Sequence, residues 1–251
     1  MERTSAELKR LAREKLTGHW GLVIGATLLS GLITSAILIP FYCLFLFSGM
    51  GMVQFVTYML AVLFVSIIAM LMRCGITRMM LGFARKRDPE LSMMFGEFTR
   101  RPDRYILASL VIFGIELLCI LPGSICWSVG MVQGAVLANV IGFVLYLVGI
   151  VVLILVSLHF ALAYFLLVDN TQMGALEALR ESRSLMDGNK GRLFYLYLSF
   201  IGWSLLGMCS CGLGMLWITP YISQTLISFY LDVTGELDRM EKPESCAEFF
   251  E

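Results

Sequence analysis

The sequence predicts an all-α, polytopic membrane protein: a helical bundle of six transmembrane helices arranged as three hairpins. Of its 251 residues, 58% are hydrophobic and only 15% are charged, whereas soluble domains carry about 25% charged residues. Several apolar segments reach the roughly 20 residues that a helix needs to cross a hydrocarbon core of about 30 Å. Charged or turn-forming residues bound these segments, which predicts that the bilayer is the solvent of most of the chain.

The predicted spans cover residues 20–40, 53–72, 105–121, 138–168, 193–210 and 214–231. Pro40 and Pro122 mark the expected ends of the first and third spans. The fourth span is longer than a perpendicular crossing needs, so we expect it to tilt, to kink near Gly142 or Gly149, or to extend beyond the bilayer. The last two spans meet in a tight hairpin at residues 209–214.

The positions of the basic residues predict the orientation. Of the 19 lysines and arginines, 5 lie in residues 1–19, 8 in 73–104, 4 in 169–192 and 2 after residue 232. The alternate connections contain none. Because cytoplasmic loops retain Lys and Arg, both termini are predicted to lie in the cytoplasm, with the chain in a plasma (inner) membrane.

Each basic segment is also predicted to carry an amphipathic helix before its hairpin. The first begins at a capping box formed by Thr4 and Glu7, places Leu8, Leu11 and Leu16 on one face and ends at Gly18.

The second and third helices follow the same plan. The second is predicted to begin at Asp88 and Pro89, and the third to begin at Asp169-Asn170-Thr171 and to end at Gly188. The apolar stripe of the second helix consists of Leu91, Met94, Phe95 and Phe98. That of the third consists of Leu176, Leu179 and Met186.

The segments LTGHWGL at 16–22, FTRRPDR at 98–104 and MDGNKGR at 186–192 each join such a helix to a span. Their spacing suggests a repeated unit, which either a threefold internal repeat or architectural convergence explains.

The basic residues of these helices are candidates for binding membrane lipids through anionic headgroups on the cytoplasmic side. An alternative is that the helices pack together as a cytoplasmic collar, and a protein partner or a homo-oligomer is a further option. Gly21 and Gly25 form a Gly-xxx-Gly motif that fits close helix packing. A formal charge of zero gives no reason to expect nucleic acid. The candidate residues are Lys9, Arg10, Arg13, Arg100, Arg101, Arg183, Lys190 and Arg192.

Glu116 is the only formally charged side chain inside a predicted span. Burying a charge at the bilayer centre costs about 2.5–3.5 kcal/mol on insertion scales, so such a residue normally has a partner. His159 in the fourth span is the expected partner, because both residues lie at similar predicted depths. The pair either forms a structural hydrogen bond between two helices or serves as a proton or ligand site.

No catalytic motif is visible, so the sequence predicts no enzyme, no cofactor and no metal site, with only His19 and His159 as histidines. The seven cysteines are interpreted mainly as small apolar residues, and a disulfide among Cys43, Cys126, Cys209 and Cys211 is left open.

The stretch from Asp169 to Tyr230 resembles the bacterial integral-membrane family known as domain of unknown function nine-seven-five. The matching features are Asp169-Asn170, Ser182-Arg183, Met186-Asp-Gly188 and Lys190-Gly-Arg192-Leu-Phe194. The opening LAREKLTGHWGLVIGATLL also looks like the start of the family, whereas the middle of the chain matches more loosely. The resemblance implies a bacterial multipass protein and brings no activity with it.

The sequence therefore predicts one integral-membrane domain, 1–232, followed by an acidic cytoplasmic tail, 233–251. We expect a non-enzymatic scaffold or lipid- or partner-binding protein. The alternative is a small transporter with Glu116 and His159 at its proton or ligand site.

Overall fold

The computed structural model describes residues 3–48, 51–85, 91–210 and 212–240. All regular secondary structure in this part is helical. The described residues of Met1–Pro102, Val168–Thr171 and Tyr195–Glu251 form one compact unit, and those of Asp103–Leu167 and Gln172–Phe194 form a second. The helices are α1 Ser5–Leu16, α2 Trp20–Phe47, α3 Met52–Ala84, α4 Met93–Gly96, α5 Asp103–Gln133, α6 Val136–His159, α7 Ala163–Asp169, α8 Ala175–Met186, α9 Lys190–Leu198, α10 Ile201–Cys209 and α11 Met215–Val233.

Within the described residues, five helical segments are long and apolar enough to cross a membrane: Trp20–Phe47, Met52–Ala84, Asp103–Gln133, Val136–Asp169 and Lys190–Cys209. They contain the first four predicted spans and all but the last residue of the fifth. The sixth predicted span coincides with α11, which is not among these five. Its polar residues Gln224, Thr225 and Ser228 are buried within the protein. The structure therefore supports a helical membrane protein with five strongly apolar helices.

Several helices continue past their predicted ends. Pro40 and Pro122 lie inside α2 and α5, so the expectation that they end the spans is wrong. Membrane helices tolerate proline because neighbouring groups can satisfy the backbone carbonyl that it leaves free.

Helix α3 likewise runs through Arg73 to Ala84. Its 33 residues are about 50 Å long at 1.5 Å per residue, which exceeds the roughly 30 Å of a hydrocarbon core. Its large exposed apolar side chains lie between Met52 and Phe64, whereas most residues from 71 to 84 are buried. The predicted boundary at Arg73 thus lies close to a change of surroundings within one continuous helix.

The fourth predicted span is interrupted after His159 and not near Gly142 or Gly149, where a kink was one of the three expected alternatives. Helix α6 ends at His159 and α7 begins at Ala163. The buried hydroxyl of Ser182 in α8 accepts a hydrogen bond from the Leu162 N–H at 3.2 Å and donates one to the His159 carbonyl at 2.9 Å. Ser182 therefore stabilises the interruption by satisfying two backbone groups released by the helix.

The glycines of the fourth span pack helix on helix. A side-chain carbon at Gly142 would overlap the backbone of Trp127, and one at Gly149 would overlap the carbonyl of Cys119. Two glycines of α5 have the same relation to α6: Gly123 lies against Tyr146 and Gly130 against Asn139. The α5–α6 hairpin thus depends on close contact of the two backbones, as small residues allow in membrane helices. Gly21 and Gly25, by contrast, have open space beside them.

Helix α1 begins as predicted, with a capping box in which the Thr4 hydroxyl and the Glu7 carboxylate each accept a backbone N–H. Leu8, Ala12 and Leu16 are buried.

The other two predicted inner helices need correction. Among the described residues the second is only the short helix α4, while Asp88 and Pro89 lie outside the described part. The third begins at Ala175 rather than at Asp169, which instead ends α7. At its start the Glu177 carboxylate accepts the Gly174 N–H at 3.3 Å.

The three predicted junctions share a backbone feature. Gly18 has φ +88°, Gly188 has φ +84° and Arg101 has φ +56°. Thr17 and Asp187, which precede the two glycines, are both extended, with ψ values of 124° and 123°. The chain thus uses a left-handed residue at each passage into α2, α5 and α9, which fits the predicted repeated unit.

Candidate functional site

Arg85 lies at the centre of a charged cluster in the first unit. Its guanidinium donates to both carboxylate oxygens of Asp169, at 2.5 and 2.8 Å, and to both of Glu236, at 2.7 Å. The Tyr230 hydroxyl donates to Asp169 at 2.8 Å. The hydrogen bonds to Asp169 and Glu236 raise the pKa of Arg85 above its ordinary value. The cluster joins the residue after α3, the last residue of α7 and the segment that follows α11.

A second ion pair lies nearby on α3, where Arg78 contacts Glu97. The Glu97 side chain is fully buried, and a buried carboxylate needs such a partner. Gly75, one turn earlier, lies against the backbone of Met94. These two contacts hold the segment around α4 on the C-terminal part of α3.

A cavity of about 220 Å³ separates the two ion pairs. Its charged lining residues include three arginines and one aspartate, and its remaining wall is small or apolar. The lining residues are Arg78, Leu81, Gly82, Arg85, Met93, Arg100, Val168 and Asp169.

The basic residues of α1 are partly engaged in contacts within the first unit. Lys9 donates to the Ser199 carbonyl at 3.2 Å and lies 4.2 Å from the Phe200 ring centroid, and burial lowers the pKa of its amine. The Arg13 guanidinium lies 5.8 Å from the Tyr221 ring centroid. Arg10 is exposed and pairs with Glu14 at 3.5 Å within the helix. Of these three residues, Arg10 is the most available to a ligand.

The predicted acidic tail begins inside this unit. Arg3 donates to Asp232 at 2.8 Å and to Asp238 at 2.7 Å, and it lowers the pKa of Asp238. Leu237 is buried. Residues 232–238 are therefore anchored by Arg3 and Arg85, while residues 241–251 lie outside the described part.

Three basic candidates lie in the second unit. Lys190 pairs with Asp187 at 2.7 Å and lowers the pKa of that carboxyl, and Arg192 donates to the Asn189 side chain at 2.8 Å. Arg183 is exposed. Lys190 and Arg192 thus have local partners at the start of α9, and the exposed Arg183 interacts electrostatically with Asp187.

The remaining two basic candidates, Arg100 and Arg101, are exposed and follow the α4 segment in the first unit. Arg100 also lines the cavity, whereas Arg101 forms the left-handed junction.

The structure does not bring Glu116 and His159 together. His159 Nδ1 lies 2.6 Å from the Leu155 carbonyl of its own helix. The contacts of Gly123 with Tyr146 and of Gly130 with Asn139 set the register of α5 against α6. In that register Glu116 is level with about residue 153, roughly 9 Å along the helix from His159. Within the described residues the half-buried Glu116 carboxylate makes no hydrogen bond or ion pair.

The cysteines whose state the structure describes, Cys43, Cys74, Cys119, Cys126 and Cys209, are free, and Cys74 is part of the core. Cys211 and Cys246 lie outside the described residues.

Arg78, Arg85 and Glu97 carry no sequence pattern that would mark them as site residues. Arg78 and Arg85 were counted only as part of a basic segment, because a single sequence does not reveal that residues 84 and 151 positions apart form an ion-pair cluster. Asp169 and Tyr230 were noticed only as motif residues. The available signal was the coincidence of Asp169 and Tyr230 with features of the resembled family.

Comparison with known proteins gives one match. No curated protein and no solved structure matches the chain. The profile of the family described as protein of unknown function (DUF975) matches residues 1–236, which include the charged cluster and every helix described above. The chain therefore belongs to the DUF975 family, as its motifs suggested.

Proposed function

We propose that this protein is a non-enzymatic, multipass membrane protein that binds anionic lipid headgroups on its basic side. The observation that carries the proposal is the confinement of all 19 lysines and arginines to four stretches of the chain, residues 1–19, 73–104, 169–192 and those after 232, with none in the alternate stretches. Each Lys or Arg near an anionic surface contributes about 1 kcal/mol of attraction. Arg100 and Arg183 are exposed and are not used in the ion pairs described above.

The proposal includes an orientation with both termini in the cytoplasm of a bacterial cell and six crossings, α11 being the sixth. Contacts in the first unit support it. The residues that follow α3 and α11 meet at Arg85, together with the last residue of α7. Three helix ends that an alternating chain would place on one side thus lie in one cluster.

Lipid retention tests the proposal. The full chain is purified in mild detergent, and native mass spectrometry then compares binding of phosphatidylglycerol and phosphatidylcholine. We expect several-fold tighter binding of phosphatidylglycerol, and that preference should fall as salt is raised, because salt screens charges beyond about 8–10 Å. Equal binding of the two lipids at low salt would contradict the proposal.

The alternative, a small transporter, required Glu116 and His159 to act as a pair. The register of the α5–α6 hairpin separates them, so the headgroup proposal has the stronger support.

A further inference from the structure

Arg78, one of the residues that line the cavity beside α3, has a hydrogen-bond donor that the described protein groups leave unused. Arg78 Nη2 is buried and has no hydrogen-bond acceptor within the described residues. Arg78 forms its ion pair with Glu97 through Nε. Nη2 is therefore a guanidinium nitrogen that this ion pair does not use. An unsatisfied buried donor costs about 1–3 kcal/mol. A ligand with an acceptor oxygen would remove this cost.

Arg100 adds the charge. It is exposed, lines the same cavity and forms no ion pair within the described part of the chain. The other two arginines of the cavity are balanced by carboxylates, Arg78 by Glu97 and Arg85 by Asp169 and Glu236. Arg100 is therefore the cavity arginine whose guanidinium has no carboxylate partner among the described residues, and guanidinium groups match phosphate geometry better than ammonium groups do.

The size of the cavity limits the ligand. Its volume of about 220 Å³ is below the roughly 300–1,000 Å³ of sites that enclose a whole small molecule. It suits one phosphate group with its immediate substituent. Gly82 contributes to this space, because a side-chain carbon there would meet no atom within 4 Å.

The surroundings favour a lipid as the source of the phosphate. Leu91, Phe95 and Phe98 precede Arg100 in the chain and are exposed by 47%, 46% and 36%. Exposed apolar side chains beside an arginine are typical of segments that insert at the membrane–water boundary. The segment is held against Gly75 and Arg78 of α3, soon after the end of the predicted second span at residue 72.

We propose that the cavity formed by Arg78, Gly82, Arg85 and Arg100 binds the phosphate group of an anionic ligand, with Arg78 and Arg100 as the donors. This inference rests on the proposed function and makes it specific, since it assigns one site to one chemical group.

Two matched pairs of variants in the full chain test the site. Arg100→Gln removes the positive charge of Arg100, and Arg73→Gln removes an exposed positive charge on α3 that does not line the cavity. Gly82→Leu fills the cavity without changing charge, and Gly25→Leu makes the same change on α2, where space is also open. Arg78 is left intact because its loss would leave Glu97 buried without this partner.

Phosphatidylglycerol and inorganic phosphate are titrated separately into the detergent-purified protein, with tryptophan fluorescence during heating and native mass spectrometry as readouts. We expect Arg100→Gln and Gly82→Leu each to weaken binding by roughly 10-fold, and the two controls by less than about 3-fold. Tighter binding of phosphatidylglycerol than of inorganic phosphate assigns the ligand to a lipid. Equal binding of both, with the same dependence on Arg100 and Gly82, assigns it to free phosphate.

Unchanged phosphatidylglycerol binding in Gly82→Leu, or equal losses in Arg73→Gln and Arg100→Gln, would overturn the site while leaving the proposed function intact. Absence of any preference for phosphatidylglycerol in the wild-type protein, with no binding of inorganic phosphate, would overturn both.

Discussion

At the scale of single residues, three backbone positions set the direction of the chain as it enters α2, α5 and α9. Gly18 and Gly188 occupy the left-handed region after extended residues, and Arg101 occupies it without being a glycine. A side chain in this region costs about 1–2 kcal/mol, which glycine avoids. Two of the three turns were predictable as helix stops from their glycines. The third was not, because arginine gives no signal for a positive φ.

We predict that Gly188→Ala lowers the free energy of unfolding by about 1 kcal/mol, because alanine cannot adopt φ +84° without strain. Gly191→Ala is the matched control, since Gly191 lies in α9 with open space beside it. That change should raise stability slightly, because alanine favours helix over glycine. Denaturant unfolding in detergent compares the two variants. A loss at Gly191 as large as that at Gly188 would refute the explanation by backbone strain.

At the scale of elements, the α5–α6 hairpin shows that a hydrophobic pattern predicts helices but does not predict how two helices pack against each other. Its two long apolar helices were predicted from length and composition. The close contact between the two helices was not predicted. The glycines that allow this contact follow no sequence pattern that distinguishes them from the Gly21–Gly25 motif, and that motif has open space beside it. A glycine's role depends on the helix that faces it, and one sequence does not say which helix that is. The sequence also does not reveal the register of α5 against α6. Glu116 and His159 were therefore expected to be partners.

We predict that Gly142→Ala destabilises the protein by about 1–3 kcal/mol, because its methyl group would overlap the backbone of Trp127 and force the helices apart. The matched control is Gly114→Ala on α5, where nothing lies within 4 Å. The measurement is the midpoint of unfolding in detergent, combined with near-ultraviolet circular dichroism. Similar midpoints for the two variants would show that the hairpin does not depend on the glycine contact.

At the scale of the whole molecule, the positions of the basic residues predict a topology. Composition could not indicate which apolar segments are buried within the protein. Residues 73–84 of α3, predicted as part of a connection, and residues 220–231 of α11, predicted as part of a span, are both mostly buried. Such residues look equally apolar in lipid and in a protein core. The sequence could therefore locate apolar helices but could not separate lipid-facing from protein-facing apolar surface.

We predict that residues near 213 lie outside the cell if α11 is the sixth crossing. Leu213→Cys, in a chain whose native cysteines are replaced by serine, should react with a membrane-impermeant maleimide added to intact cells. Leu176→Cys on α8, also exposed in the structure, should react only after the membrane is permeabilised. Protection of residue 213 in intact cells would show that α10 and α11 do not reach the outer surface.

The Arg85 cluster also constrains the order in which the protein can assemble during synthesis. The glycine contacts of the α5–α6 hairpin join residues 9 to 30 positions apart, so they can form as soon as residue 149 has left the ribosome. Arg85 must wait for Asp169, 84 positions later, and for Glu236, 151 positions later. Until residue 236 has been made, the Arg85 guanidinium lacks two of its acceptors, the carboxylate oxygens of Glu236. Completion of the cluster therefore requires synthesis of the chain through residue 236, and a chain truncated before that residue could not complete it.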